Sequence, residues 1–431
     1  MRILGGILKG RKLFSLGAVL CILFISALVG FSLVEAEPSS QFPRISPPFQ
    51  IWDDAGQNSN PAVAYNPLRD EYLVVWSTIQ DEFSTDIWGR RLRGDGSPIP
   101  NGWFNIDNYA GMHLINPAVA YNSQTDQYLV VYSAEFSMDD HDIWGKIINW
   151  DGGLSSRLYI DTRPQRQMDP AVVYNNLENQ YLVAYSDWLN TTTVNLRLKT
   201  LNQSGAEINS ASIVSAAGQF RGSPDLAFSA PDNRYMVVYG HEGSFLPRIY
   251  GKSFSPELVS LSPEFNYNDD GSGGQYPKIA CSTDECIVAW VGIMGSGVKA
   301  RRIATDGTPF APNGGFEIAA PVKDIIQDSP AISLFKPWGY LFTWNHFLST
   351  SADESDVYGS VVAYGQNHPM GNSFPVDTRT YHEGYPDLAC GFYGRCLLVI
   401  SHNPVQYPTG DKEISGRFIS TLLNFVPLII K

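Results

Sequence analysis

The chain alternates apolar segments with short polar turns, and one order of segments recurs along most of its length. The first copy opens with Asn60–Asn66 (NPAVAYN), and the second opens with the same seven residues at Asn116–Asn122. A polar turn leads to a second apolar run, Tyr72–Trp76, whose consecutive apolar positions predict a strand buried on both faces. A third segment, Asp86–Arg90 (DIWGR), and a fourth, Phe104–Asp107, complete the copy.

The prolines that open the copies have nearly constant spacing. They are Pro61, Pro117, Pro170, Pro224, Pro277, Pro330 and Pro386, so the copies start near residues 60, 116, 169, 223, 276, 329 and 385. Copies of roughly 53 residues with four short strands each predict an all-β fold, a seven-bladed β-propeller of four-stranded antiparallel blades. We expect each proline to be the first residue of its strand, where no ladder donor is lost.

The two ends of the repeat region predict how the propeller is completed. Phe49–Asp53 has the pattern of a fourth strand ahead of the first copy, and we expect it to pair with the last third segment, Glu413–Ile419. The competing outer strand is Phe425–Leu428. The predicted propeller spans residues 48–420, between an N-terminal linker at 37–47 and a C-terminal tail at 421–431.

The first 36 residues have the pattern of a signal peptide. Four basic residues precede the apolar run Leu13–Val34, and Val34–Ala36 offers small residues to a signal peptidase, so cleavage is expected before Glu37. The 22-residue apolar run is also long enough to span a bilayer as an uncleaved anchor. The protein is therefore predicted to be secreted or held in the cell envelope, with no membrane contact after cleavage.

Composition and charge narrow the expected partners. Hydrophobic residues make up 44% of the 431 residues and charged residues 17%, which excludes a largely disordered chain. The net charge is −13, and removal of residues 1–36, with four basic residues and one acid, gives −13 − 3 = −16. Such an acidic surface opposes binding to nucleic acid and is compatible with neutral ligands such as glycans. We expect a monomer whose ligand is a glycan or a protein. No pattern indicates a cofactor.

Four of the five cysteines form two close pairs. They are Cys281 with Cys286, and Cys390 with Cys396. Aligned copies carry Tyr65 and Tyr72 at these places, which face each other across the first hairpin, so each cysteine pair replaces a cross-strand aromatic pair. An exported protein meets oxidising conditions, and we expect two local disulfides. A zinc site with four thiolates is the alternative, although the two pairs lie in non-adjacent copies.

The long loops that join second to third and fourth to first strands share one face of a propeller, and they hold most of the candidate chemistry. Six of the seven histidines fall there: His113, His141, His241, His346, His382 and His402. Two positions after the second apolar run stand Asp187, His241, His346 and His402. We expect these four around the channel mouth, binding a ligand by hydrogen bonds or stacking. Three histidines and a carboxylate are also suitable ligands for a transition metal, so a metal site is the alternative interpretation of these four residues.

A second set of residues precedes the prolines, and we call it the pre-proline set. Its members are Asn60, Asn116, Asp169, Ser223, Tyr276, Ser329 and Tyr385. Strand order places them near the axis on the same face, where polar and aromatic groups around a concavity are typical of small-ligand sites. We take Asn60, Asn116, Asp169, Tyr276 and Tyr385 as candidate ligand-binding residues. The alternative is that the set only caps the inner strands.

The string Asn60–Trp76 followed by Asp86–Arg90 resembles the repeats of exported bacterial β-propeller proteins, most of them of unassigned function. The resemblance covers nearly the whole chain after residue 36. The chain lacks the signature residues of WD40, kelch, sialidase Asp-box and integrin-type calcium repeats. The resemblance therefore implies the fold and export, and it supplies no catalytic residue.

Two classes of function fit these observations. We favour a binding, adhesion or scaffold module, because no copy carries a large insertion and no nucleophile motif is present. The alternative is a hydrolase or lyase that draws acid and base groups from His346, His402, Asp187 and Glu242. The fold alone does not decide between them.

Overall fold

The computed structural model describes residues 43–52, 56–242, 246–293, 297–321, 325–348, 355–379, 383–391, 394–403 and 412–421. The predicted signal peptide or anchor and the competing strand Phe425–Leu428 lie outside these residues. Within the described ranges every named element is a β-strand, and no helix there is long and apolar enough to cross a membrane.

Two short strands come first, and the other strands follow in groups that we call units. The short strands are β1 (Arg44–Ile45) and β2 (Phe49–Trp52). Unit 1 has β3 (Gln57–Asn66), β4 (Glu71–Asp81), β5 (Ser84–Arg93) and β6 (Pro98–Asp107). Unit 2 has β7 (His113–Asn122), β8 (Gln127–Ser137), β9 (Asp140–Asn149) and β10 (Leu158–Asp161). Unit 3 has β11 (Arg166–Asn175), β12 (Gln180–Trp188), β13 (Val194–Asn202) and β14 (Glu207–Ile213).

The same order continues to the end of the described chain. Unit 4 has β15 (Phe220–Ser229), β16 (Arg234–Glu242), β17 (Arg248–Phe254) and β18 (Phe265–Asn266). Unit 5 has β19 (Gly274–Cys281), β20 (Cys286–Gly292), β21 (Val298–Ile303) and β22 (Phe316–Ala319). Unit 6 has β23 (Ile325–Phe335), β24 (Gly339–Leu348), β25 (Ser355–Ala363) and β26 (Phe374–Asp377). Unit 7 has β27 (Glu383–Cys390), β28 (Arg395–His402) and β29 (Glu413–Ser420).

Within each unit the strands pair antiparallel in chain order, first to second to third to fourth. Unit 7 has three strands of its own, and β2 pairs with β29 as a fourth, with Phe49 opposite Gly416. This is the partner that the sequence predicts for Phe49–Asp53. β1 lies within the segment predicted as a linker and pairs with the far end of β29, where Arg44 is opposite Ser420.

The first strands of successive units lie side by side. β3 contacts β7, β7 contacts β11, and the series continues through β15, β19 and β23 to β27, which contacts β3. The third strands also reach the next unit, since Thr85 of β5 is opposite His113 of β7 in a parallel bridge. The second-to-third loop of one unit therefore lies beside the fourth-to-first loop that leads into the next.

The second strands form the core. Tyr72–Trp76 of β4 is 0% exposed throughout, as its unbroken apolar run predicts. Leu73 shares a cluster with Val130 of β8, whereas Val74, on the other face, shares one with Leu397 of β28. Each second strand thus buries one face against the unit before it and one against the unit after it.

The prolines lie inside the first strands, and the prediction that each is a first residue is wrong. Pro61 is the fifth residue of β3, and the register of β3 on β4 shifts between Ser59 and Ala62. Asn60 and Pro61 therefore form a β-bulge, and the missing proline N–H costs no ladder bond. The same shift occurs at the matching place of every first strand.

The cysteine pairs form the two predicted disulfides. Cys281 is bonded to its cross-strand partner Cys286, and Cys390 is bonded to Cys396. The aligned position of unit 1 holds a tyrosine pair, with ring centroids 4.9 Å apart for Tyr65 and Tyr72. Either kind of pair joins the two strands of the first hairpin on one face of the sheet.

Loss of one disulfide should cost only moderate stability. In the double variant Cys281→Ala with Cys286→Ala, the freed loop has a sequence separation of only 5. The chain-entropy model then gives a loss of about 2 kcal/mol in the free energy of unfolding, which urea denaturation measures. The double variant of Cys390 and Cys396 is the matched case, with a separation of 6. A loss above about 4 kcal/mol would contradict loop closure as the source of the stabilisation.

Candidate functional site

The pre-proline set occupies the bulge of each first strand. All seven members have a positive φ, from 47° at Ser329 to 54° at Asn116. Left-handed backbone is uncommon outside glycine and costs of order 1–3 kcal/mol, so it persists only where the surrounding structure imposes it. Tyr276 and Tyr385 hold this conformation while they are 49% and 48% exposed. Backbone strain of this kind clusters at functional sites.

Members of the pre-proline set contact each other from unit to unit. Asn60 Nδ2 donates to Asn116 Oδ1, and Asn116 Nδ2 donates to Asp169 Oδ1 at 3.2 Å. Burial raises the pKa of Asp169, and the hydrogen bond from Asn116 opposes that rise. The structure thus brings together three of the predicted residues as one line of polar groups across three first strands.

The position after each proline holds charged side chains that sequence reasoning missed. It is alanine in four copies (Ala62, Ala118, Ala171 and Ala331) and charged in three (Asp225, Lys278 and Asp387). Asp225 Oδ2 accepts from the Ile279 N–H at 2.7 Å, and Asp387 Oδ2 accepts from the Val63 N–H at 2.9 Å. Each carboxylate therefore binds the first strand of the following unit. The signal in the sequence was a charge at a position that other copies fill with alanine.

These three charges form one electrostatic group on the first strands. Lys278 Nζ is 3.9 Å from Asp225 Oδ1, and the Asp225 side chain is 21% exposed. Burial raises the pKa of Asp387 to about 6; Lys278 opposes the rise and Asp225 adds to it. Burial also raises the pKa of Asp225, again opposed by Lys278. Both carboxyl groups thus respond to the same lysine.

The four residues predicted at the channel mouth each face a first-strand partner in their own unit. Asp187 is opposite Gln167, His241 is opposite Arg221, His346 is opposite Gln327, and His402 is opposite Glu383. Directly opposed residues of an antiparallel pair share a sheet face. The structure therefore places each predicted residue in a separate cross-strand pair. Among the described residues, no group of three His, Cys, Asp or Glu side chains is placed to hold a metal ion.

Asp187 is a buried partner of arginines. Its Oδ2 lies 3.1 Å from Arg163 Nη2 and 3.8 Å from Arg197 Nε. Arg163 Nη2 also lies 2.7 Å from Asp161 Oδ2, so one guanidinium joins the end of β10 to β12. A buried carboxylate shared in this way needs its cations, because removal of either partner leaves an uncompensated charge.

His241 and His346 pack against tyrosines of the third strand. The ring centroid of His241 is 5.1 Å from that of Tyr250, and the centroid of His346 is 4.7 Å from that of Tyr358. Burial lowers the pKa of both histidines, and the Arg221 guanidinium lowers that of His241 further. Both imidazoles are therefore neutral at pH 7. His382 and the side chain of Glu242 lie outside the described residues.

His402 and Glu383 are buried against each other, 4% and 0% exposed. His402 Nδ1 is 3.1 Å from Glu383 Oε1, and His402 Nε2 is 3.9 Å from Glu413 Oε1. Burial lowers the pKa of His402 to about 4, with Arg379 adding to the effect. Burial raises the pKa of Glu383 to about 9, and Asp377 adds to that rise. Both shifts favour the neutral forms of the two groups at pH 7, an arrangement in which a protonated Glu383 carboxyl group can donate to an unprotonated His402 Nδ1.

Asp377 binds the two arginines of this cluster. It accepts from Arg379 Nε and Nη2 at 3.0 and 2.9 Å and from Arg417 Nε and Nη2 at 2.8 and 3.0 Å. Burial opposes ionisation of Asp377, but the hydrogen bonds from Arg417 and Arg379 outweigh it and lower its pKa. Asp107 and Asp161 end β6 and β10 as Asp377 ends β26, and each is also bound by an arginine.

The comparisons with known proteins give information on the fold alone. No protein-family model matches the chain, and no curated protein is significantly similar to it in sequence. A protein of unknown function from Dyadobacter fermentans is similar in structure, with a TM-score of 0.50 and 9% identity over 72% of this chain and 95% of that one. The Penicillium chrysogenum alpha-L-arabinanase has a TM-score of 0.48 and 12% identity over 88% and 99% of the two chains. The Trypanosoma rangeli sialidase has a TM-score of 0.47 and 7% identity, and the match covers 87% of this chain and 59% of that one.

Proposed function

We propose that the chain is an exported, closed seven-bladed β-propeller that binds a ligand through the pre-proline set. The series of contacts from β3 through β27 and back to β3 supports closure. The pairing of β2 with β29 supports a clasp made by the N-terminal strand. Two disulfides are compatible with an oxidising compartment. The likeness of the repeats to those of exported bacterial propellers supports the same assignment.

The binding proposal is carried by Tyr276 and Tyr385, which are half exposed on strained backbone. A half-exposed tyrosine ring offers an apolar face and a hydroxyl group, and the Asn60 and Asn116 amides of the same set are already fixed by hydrogen bonds. Rigid aromatic faces beside fixed polar groups are typical of small-ligand sites. A glycan or an extended protein segment provides the complementary apolar and polar surfaces.

Tyr276→Ala and Tyr385→Ala should each remove about half of the stabilisation that a bound ligand gives the wild-type protein. The measurement is a thermal-shift panel of oligosaccharides, in which a ligand at about 100-fold over its Kd adds about 2.7 kcal/mol. Loss of one aromatic contact should weaken binding by about tenfold. Leu177→Ala, at a position 52% exposed in the turn between β11 and β12, is the control. Undiminished stabilisation in both tyrosine variants would exclude the pre-proline set as the site.

A hydrolase or lyase is the second candidate, favoured by the charges next to the pre-proline set. A carboxyl group with a pKa of about 6, as at Asp387, is partly protonated near neutral pH and suits a general acid. Asp225, 3.9 Å from Lys278, supplies a second carboxyl group. Asp387→Asn distinguishes the two functions: an enzyme loses product formation and keeps ligand binding, whereas a binding module forms no product before or after the change.

A further inference from the structure

Three exposed aromatic side chains converge on the indole of Trp144, and we call this group of four the aromatic cradle. The ring centroids of Tyr109, Phe136 and Tyr159 lie 5.9, 5.7 and 5.5 Å from that of Trp144. All three meet the indole in an edge geometry, the favourable arrangement of aromatic pairs. Trp144 is 2% exposed, whereas the three outer rings are 48%, 51% and 63% exposed.

The cradle draws on several elements at the junction of units 1 and 2. Tyr109 lies in the loop that leads from β6 to β7, and Phe136 lies near the end of β8. Tyr159 of β10 is directly opposite Trp144 of β9. Met138, next to Phe136 in the hairpin from β8 to β9, is 80% exposed. The cradle therefore combines strand residues of unit 2 with a residue of the loop between units 1 and 2, and none of its members belongs to the pre-proline set.

Polar contacts hold the base of the cradle in place. Trp144 Nε1 donates to an Asp142 carboxylate oxygen at 3.0 Å. The Arg157 guanidinium lies 4.4 Å from the centroid of the indole and 5.3 Å from that of Tyr109. Arg157 is held in turn by two hydrogen bonds to Asp107, of 2.6 and 2.7 Å. The exposed rings thus rest on a rigid support, and a rigid aromatic surface loses little conformational entropy when it binds.

The three exposed rings differ from isolated exposed apolar residues because they contact one common side chain. Single exposed apolar residues are common on protein surfaces, but contiguous apolar patches mark binding sites. Here three half-exposed rings share one buried indole. Water contact with these rings is unfavourable in the free protein, and a ligand that covers them removes that cost.

We propose that the aromatic cradle binds a neutral saccharide, with the C–H face of a sugar ring stacked on Tyr159 or Phe136. Sugar rings combine an apolar C–H face with a rim of hydroxyl groups. The aromatic rings would cover the former, and Asp139 and Asp140, which follow Phe136 in the hairpin from β8 to β9, offer carboxylates as acceptors for the latter. The same carboxylates and the net charge of −13 disfavour an anionic sugar.

The size of the cradle favours a small ligand over a folded protein. An aromatic side chain buries about 150–250 Å², so three half-exposed rings offer about 300 Å². A stable protein interface needs about 800 Å² from each partner. The inference goes beyond the ligand site proposed at the pre-proline set and does not depend on it.

The test is isothermal titration of the full-length protein with four neutral hexasaccharides: cellohexaose, xylohexaose, mannohexaose and arabinohexaose. We expect at least one to bind, and we expect Tyr159→Ala and Phe136→Ala each to weaken that binding by about tenfold or more. Tyr159→Phe keeps the ring and should bind as the wild type does. Leu177→Ala is the control, because Leu177 is 52% exposed in the turn between β11 and β12, away from the hairpins that join second to third strands.

Each outcome decides between the two sites. Binding that Tyr159→Ala weakens and Tyr276→Ala leaves intact supports the cradle. Binding that Tyr276→Ala and Tyr385→Ala weaken, with Tyr159→Ala and Phe136→Ala unchanged, overturns the cradle and supports the pre-proline set. If none of the four sugars binds to the folded wild-type protein, the proposal for the cradle is also overturned. The pre-proline set would then still be a candidate site for a protein ligand. Unchanged melting temperatures of the Tyr159 and Phe136 variants confirm that they fold.

Discussion

Glu383→Gln should make the protein more stable at alkaline pH and remove much of its pH dependence there. Burial raises the pKa of Glu383 from 4.5 to about 9, so the folded state favours the protonated carboxyl group. The stability that this group contributes is fully present below about pH 4.5 and is lost as the pH rises toward 9. The wild-type free energy of unfolding should therefore fall over that window, by up to about 1.4 kcal/mol per pH unit for one coupled proton. Glutamine carries no such proton, so its curve should be flatter.

The measurement is urea unfolding of both proteins from pH 6.5 to 9. The window matters because His402 titrates in the opposite sense: burial lowers its pKa to about 4, so its contribution is complete above pH 6.5 and is lost only as the pH falls through 4. Glu317→Gln, at an exposed position of β22, is the matched control. If Glu383→Gln keeps the wild-type slope between pH 6.5 and 9, the buried carboxyl group is ionised and the neutral pair is wrong.

Asp377→Asn should destabilise the protein severely. The Asp377 side chain is 0% exposed and binds both Arg379 and Arg417, and Arg379 Nη1 also lies 3.5 Å from Glu413 Oε1. Asparagine keeps the shape and loses the charge, which leaves Arg417 beside an uncharged amide and Arg379 with Glu413 as its carboxylate partner. Breaking a buried ion pair by removal of one partner costs about 3–5 kcal/mol. Urea denaturation at pH 7 measures the loss.

The control for this change is Asp232→Asn, which removes the same charge at an exposed position. That variant should stay within about 0.5 kcal/mol of the wild type. A loss of less than about 1 kcal/mol in Asp377→Asn would mean that solvent reaches the two arginines and compensates them. Asp161→Asn is an intermediate case, because Asp161 binds Arg163 and accepts a hydrogen bond from Tyr185 at 2.6 Å.

The strand order could be predicted because each copy repeats the same physical pattern. An unbroken apolar run such as Tyr72–Trp76 means burial on both faces, and the structure buries it on both. The facing positions of the first hairpin were predictable too, since cysteine pairs replace tyrosine pairs there. A disulfide fixes that register in two copies and an aromatic contact such as Tyr65 with Tyr72 marks it in another.

The candidate site was predictable only in part, and the bulge explains why. A proline read as the first residue of a strand places the residues before it in a loop. The structure continues the first strand through the bulge, so Gln167 and Glu383 pair with Asp187 and His402. Each bulge inserts an extra residue, and hydrophobic alternation, which is read one residue at a time, cannot show such a shift. The first-strand partners of Asp187 and His402 therefore could not be predicted from the sequence.

The aromatic cradle could not be predicted from the sequence, for a different reason. Tyr109, Phe136 and Tyr159 stand in three separate segments of the copy, and each alone is an ordinary surface residue. Phe136 and Tyr159 reach Trp144 through the pairing of β8, β9 and β10 within unit 2, and Tyr109 reaches it from the loop between β6 and β7. Hydrophobic periodicity within one strand does not show which side chains of neighbouring strands and loops meet.

The pairing of β2 with β29 has a consequence for synthesis of the chain. Gln50 and Glu413, whose side chains hydrogen-bond in the folded protein, are separated by 363 positions. On the ribosome β2 emerges among the first of the described strands, whereas its partner β29 is the last of them to be made. Until then Phe49 and Ile51 have no strand to cover them, and closing so long a loop is slow. The segment around β2 is therefore exposed to aggregation for longer than any strand whose partner follows it directly in the chain.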